Sequence, residues 1–151
     1  MGHDVGFQGH VVPLAGGPSL RSDQIAATLR RFAALGVAVE ITELNVFTRT
    51  RRHVLTLGLT YDEGRELRRQ AEAYAAATRA CLSVPACQGV TLWTFTDRYE
   101  TTIERLTHLD DIPLIFDQAY RPKPAALALH EVLAGAERRP AGPTSAPGKG
   151  N

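Results

Sequence analysis

Residues 39–46 read VEITELNV. Val39, Ile41 and Thr42 are β-branched, and side chains of that shape favour an extended, pleated backbone. With Ala38 and Val37 ahead of it, the apolar run is continuous enough for a strand buried on both faces, as parallel strands are. The residue that stands out, at the end of the run, is Glu43. A buried carboxylate is costly unless it is paired or hydrogen-bonded. Glu43 is therefore either a surface residue at a strand end or a placed functional group.

Working outward, strand-like and helix-like segments alternate. VGFQGHV, Val5 to Val11, is a short apolar run that predicts a buried strand. After the loop PLAGGPS, Ser22 or Asp23 can cap a helix. Ile25, Leu29 and Phe32 recur on one face of it, and Gly36 ends it. Asn45 to Thr60 reads as a loop. Asp62 can cap a long helix through about Leu82, with Leu67, Ala71, Tyr74, Thr78 and Cys81 along one stripe. GVTLWTFT, Gly89 to Thr96, predicts a third buried strand. A long loop, Asp97 to Pro113, precedes the short extended piece PLIFD. The final helix, in PKPAALALHEVLAG, is opened by proline and closed by Gly135. The tail 136–151 is rich in Pro and Gly, which predicts disorder.

The order β, α, β, α, β, α argues for parallel strands with right-handed crossovers. Two architectures fit: part of a doubly wound sheet, or a piece of a (β/α)₈ barrel. A doubly wound nucleotide fold calls for G-x-G-x-x-G after the first strand, and GHVVPLAGGPS does not supply it; no G-x-x-x-x-G-K-[ST] occurs either. The chemistry-bearing residues fall where a barrel places them, at or beyond strand C-terminal ends: His10, Glu43, Trp93 and Asp97. The barrel is favoured.

Composition narrows the function classes. The chain of 151 residues is 44% hydrophobic and 22% charged, with formal net charge +1. That balance suits a globular domain and gives no basic field for nucleic acid. RTRRH, Arg49 to His53, reads as a solvated loop. No apolar run approaches the roughly 20 residues that span a bilayer, and MGHDVGFQGH lacks a signal-peptide layout. His3, His53, His108 and His130 have no metal-ligand spacing, and no cofactor motif is present. Ser19 and Ser22 lack a nucleophile-elbow setting. Asp97 reads as a loop brace. Cys81 and Cys87 do not make a zinc pattern. They are either two buried thiols or a local disulfide closing the turn between helix and strand. Pro85 and the short loop favour the disulfide, which implies an oxidising compartment.

Four stretches, GFQGH, VEITELNV, GVTLWTFTDRYE and PLIFDQAYRPKPAALAL, resemble in this order the C-terminal half of the family-10 glycoside hydrolases, the endo-β-1,4-xylanases. The resemblance covers Gly6 to about Leu133, and CLSVPAC is similar to a cysteine pair before the last strand of that family. It implies an α/β fold forming part of a TIM barrel, approximately strands six to eight with their helices, over residues 1–135. It implies a retaining hydrolase of xylan or xylo-oligosaccharides, secreted and without cofactor or metal. Glu43 matches the family nucleophile, His10 the histidine against it, Gln8 a residue that hydrogen-bonds sugar hydroxyls, and Trp93 an aromatic wall under a sugar ring.

The chain also departs from the pattern. Nothing in it corresponds to strand four, which carries the acid/base glutamate of the family. Asn45 stands where the family motif has Asp, and Glu100 and Thr101 follow TDRY where the family has Ser-Trp. The expectation for the isolated chain is little or no hydrolysis. Two further readings stand beside it: a non-catalytic half barrel that binds sugar weakly or self-associates through exposed strand edges and an apolar interior, and an unrelated α/β domain whose Arg-rich loops bind an anion.

Overall fold

The structure is a computed structural model, and it describes residues 4–11, 20–48, 54–55, 58, 60–99 and 112–137. Arg49 to His53, Glu100, Thr101, His3, His108 and the tail beyond residue 137 lie outside the described residues. Three parallel strands form one sheet in the order β1-β2-β3. β1 is Asp4–Val11, β2 is Ala38–Val46 and β3 is Cys87–Leu92. The helices are α1 (Ser22–Ala33), α2 (Glu63–Leu82) and α3 (Pro124–Glu137).

The core lies on one face of the sheet. Val39, Ile41, Leu44 and Val46 of β2 meet Ala26 and Leu29 of α1, Tyr74, Ala77 and Ala80 of α2, and Ala125 of α3. Tyr74 is fully buried, and its hydroxyl donates to the Pro113 carbonyl at 2.8 Å. Phe7 of β1 meets Phe32 of α1 edge-on, with ring centroids 4.8 Å apart. The other face presents Asp4, Gly6, Gln8 and His10 from β1, Glu40 and Thr42 from β2, and Thr91 from β3. It is polar, and Thr91 Oγ1 donates to Glu40 Oε1 at 2.7 Å across it. The expectation of an apolar interior does not hold for most of this face: small and hydrogen-bonding side chains dominate it, while the large aliphatic side chains of β2 point to the helices. Helices on one face only of a parallel sheet are what a barrel segment has; doubly wound sheets are covered on both faces.

Local signals explain most element ends. Asp62 caps α2, accepting from the Arg65 backbone N–H at 3.0 Å. Gly36, at φ +80°, takes the left-handed turn after α1. Neither Ser22 nor Asp23 caps α1: Arg21 occupies that position without a side-chain cap, and Asp23 is held by the Arg21 guanidinium at 2.6 Å. β2 runs on through Asn45 and Val46, where a loop was expected, because both pair with β1. β3 stops at Leu92, short of Thr96, since the chain turns to bridge Thr96 to Phe116 instead. α3 continues through Gly135 to Glu137, its glycine keeping a helical backbone. Cys81 and Cys87 form a disulfide with Cα atoms 5.2 Å apart, joining the end of α2 to the start of β3.

Candidate active site

The C-terminal end of β2 is not a regular strand. Gln8 pairs with Thr42 and His10 with Asn45, so Glu43 and Leu44 together face the single Gly9. On the other side Ile41 pairs with Val90 and Leu44 with Leu92, so Thr42 and Glu43 face Thr91. Two residues against one is a β-bulge, and Glu43 within it has φ +57°, in the left-handed region. The consequence is directional. Simple alternation would put Glu43 on the helix-facing side with Val39 and Ile41. The bulge inserts a step, so Leu44 takes that buried place and Glu43 turns to the open, polar face. The carboxylate escapes the core without leaving the strand.

There it meets His10. The His10 Nε2 lies 3.1 Å from Glu43 Oε2, and Nδ1 lies 2.9 Å from Asn45 Oδ1. The His10 and Glu43 side chains are 37% and 35% exposed, whereas Asn45 is 1% exposed. A chain of hydrogen bonds thus runs from a buried amide through the ring to a carboxylate that solvent can reach. Trp93 closes one side. Its backbone N–H donates to the Leu44 carbonyl at 3.1 Å, and its ring stands edge-on to His10 with centroids 5.5 Å apart. The indole is 45% exposed, which leaves apolar surface for a flat ligand. Gln8 is exposed two residues before His10, on the same face of β1. The structure so brings Gln8, His10, Glu43, Asn45 and Trp93 to one end of the open face.

Asp97 lies apart from this group. Its buried carboxylate accepts from the Leu114 backbone N–H at 2.8 Å and from Lys123 Nζ at 2.8 Å. Burial pushes its carboxyl up from the ordinary value, against the pull of Lys123. It braces the segment after β3 against the approach to α3. His130 is exposed on α3. Among the described residues no three His, Cys, Asp or Glu side chains group to hold a metal ion. Sequence reasoning passed over an aromatic group at the same sheet end. Phe95, Tyr99 and Tyr120 are exposed, the two tyrosine hydroxyls lie 2.8 Å apart, and the Arg98 guanidinium sits 5.6 Å from the Tyr120 ring centroid. The run TFTDRY held that signal in its density of aromatics.

A strand-end carboxylate held by a histidine beside an indole is equipped to attack an electrophilic carbon and to cover an apolar ring face. Comparison with known proteins identifies the family of the chain. The profile of Glycosyl hydrolase family 10 matches residues 3–132. Endo-1,4-beta-xylanase 1 of Humicola insolens is 37% identical over 130 residues, which are 86% of this chain and 27% of that protein. The native xylanase 10B from Thermotoga maritima superposes with a TM-score of 0.72 at 33% identity, covering 91% of this chain and 38% of that one. Xylanase 10B from Thermotoga petrophila, solved in complex with xylobiose, gives a TM-score of 0.64 at 30% identity over 88% of this chain and 35% of that one. The chain spans about a third of the length of these relatives.

Proposed function

The chain belongs to glycosyl hydrolase family 10, and from that membership we propose that it carries the nucleophile side of an endo-β-1,4-xylanase centre, with Glu43 as the nucleophile. The observation that carries this reading is the bulge at the end of β2, which turns one carboxylate out of an apolar strand face and onto His10. On this reading β1, β2 and β3 correspond to strands six, seven and eight of the (β/α)₈ barrel, where strand C-terminal ends host the chemistry.

The reaction would run in two steps. A Glu43 carboxylate oxygen attacks the anomeric carbon, the glycosidic C–O bond breaks, and a glycosyl ester forms on Glu43. Water then attacks the same carbon and returns the carboxylate. His10 keeps the carboxylate in attack orientation, Gln8 hydrogen-bonds sugar hydroxyls, and the Trp93 indole covers ring C–H groups. The substrate class is β-1,4-linked xylan or xylo-oligosaccharide; a xylobiose complex among the structural neighbours supports it. No cofactor takes part. The disulfide suits a secreted protein.

A natural leaving oxygen needs a proton from a second carboxylate about 5–5.5 Å from the first. On the resemblance to the family, that acid would come from strand four, which has no counterpart in these residues. A general acid or base contributes about 10²–10⁴-fold, so this chain alone is expected to hydrolyse xylan weakly or not at all. A dinitrophenyl leaving group departs without protonation. The test is therefore dinitrophenolate release from a dinitrophenyl β-xylobioside. The expected result is release by the parent chain, none by Glu43→Gln, and little turnover of xylohexaose by either. Equal release by parent and variant would overturn the assignment.

A second reading has its own observation. β1 and β3 are open edges of the described sheet, and an apolar groove lined by Leu82, Val90, Leu92, Leu129 and Leu133 lies beside β3. A half barrel that pairs with another copy through these surfaces would cover both.

A further inference from the structure

The ring of His10 is bonded at both nitrogens, and the two partners make different demands. Glu43 Oε2 lies 3.1 Å from Nε2 and Asn45 Oδ1 lies 2.9 Å from Nδ1. An ionised carboxylate only accepts hydrogen bonds, so the ring must present an N–H at Nε2. A neutral imidazole has one N–H and one lone pair, so Nδ1 then presents a lone pair to Asn45 and needs a donor. A carboxylate side chain at position 45 would have none. An amide does: half a turn about its last torsion exchanges oxygen and NH₂ with no change of shape.

We propose that Asn45 is a positioning residue whose amide NH₂ donates to His10 Nδ1 and so holds the ring as the neutral Nε2–H tautomer, aimed at Glu43. The hydrogen bonds from Asn45 to His10 and from His10 to Glu43 then each run from a donor to an acceptor, with the negative charge on Glu43 alone. The alternative is a ring protonated at both nitrogens, donating to Asn45 Oδ1 and to Glu43 Oε2 alike. From β2, Glu43 is the ionisable group bonded to the ring, while Glu40 is engaged by Thr91. From the segment after β3, Trp93 faces the ring and carries no charge. Asn45 can hold the ring steady because it is 1% exposed and its backbone is paired in register with His10.

The consequence rests on the nucleophile reading. A neutral donor orients the Glu43 carboxylate without neutralising it, which leaves the full anion for attack on carbon. The tautomer itself can be measured independently of that reading.

The experiment is ¹⁵N NMR of the 151-residue chain with ring-labelled histidine at pH 7.5, the His10 signals being those lost in His10→Gln. The expected spectrum has His10 Nε2 in the protonated, pyrrole-type range and Nδ1 in the pyridine-type range. In Asn45→Asp, Nδ1 moves into the protonated range, because a carboxylate can only accept from it. A parent ring protonated at both nitrogens, or at Nδ1 alone, overturns the proposal. If Asn45→Asp does not fold, the parent spectrum decides. Dinitrophenolate release read on the same samples separates the two ideas. The expected ring state without release keeps the role of Asn45 and removes the nucleophile reading; release from a doubly protonated ring does the reverse.

Discussion

Glu43 shows how much of a site can hang on one backbone angle. At φ +57° a non-glycine residue is held in a sparsely populated region at a cost of roughly 1–3 kcal/mol. The surrounding strand pairs and the His10 hydrogen bond sustain it. Glu43→Gly relieves that strain, and we expect it to raise stability by about 1 kcal/mol while abolishing dinitrophenolate release. Glu43→Gln should abolish release with stability near that of the parent. Thermal unfolding of both checks this, and a fall in stability for Glu43→Gly would contradict it. Glu43 stood out in VEITELNV as the carboxylate at the end of the run, where a strand meets solvent; Glu40, earlier in it, accepts from Thr91 instead. The direction of Glu43 was not legible. Strict alternation counts it onto the buried face, and the bulge that moves it depends on pairing with β1 and β3, which are remote in sequence.

At the scale of elements, signals that act locally were readable. The Asp62 cap, the proline opening α3 and the glycine after α1 each work within one turn of chain. Boundaries decided by distant partners were misjudged. β2 extends through Asn45 because β1 pairs with it, and β3 ends early because Phe116 takes up Thr96. Gln70 of α2 shows the same dependence: its side-chain NH₂ donates to the Val46 carbonyl at 2.8 Å and to the Ile112 carbonyl at 2.7 Å, tying the end of β2 to the returning chain. The Asp97–Lys123 pair fastens the other side of that return. Lys123 also donates to the Ile112 carbonyl. Removing one partner leaves an uncompensated buried charge, so Lys123→Met should cost about 3–5 kcal/mol. Asp97→Asn with Lys123→Met should recover most of that loss, since no charge then remains. Urea unfolding of the single and double variants tests this, and equal losses in both would contradict it.

For the whole molecule, the alternation of strand and helix was enough to indicate parallel strands, and the position of His10, Glu43 and Trp93 at strand ends was enough to prefer a barrel. The polar character of the open face was not foreseen. Gly6, Gln8, Thr42 and Thr91 are too scattered along the chain to be seen as one surface before the sheet assembles them. That face needs no cover, so the surfaces that invite association are the edges and the groove beside β3. Unpaired strand edges template further pairing, and Leu82 and Leu133 are about half exposed at the groove. We expect concentration-dependent self-association in sedimentation velocity, reduced when Leu133 is replaced by Lys. A monomer throughout would remove the half-barrel pairing reading. The central claim, that Glu43 is a nucleophile poised by its strand, is met most directly by trapping. A dinitrophenyl 2-deoxy-2-fluoro-β-xylobioside forms the glycosyl ester without acid assistance and slows its hydrolysis. Peptide mapping by mass spectrometry should then find one fluoroxylobiosyl group, on Glu43. An unmodified chain after long incubation, or a label on another carboxylate, would contradict the account.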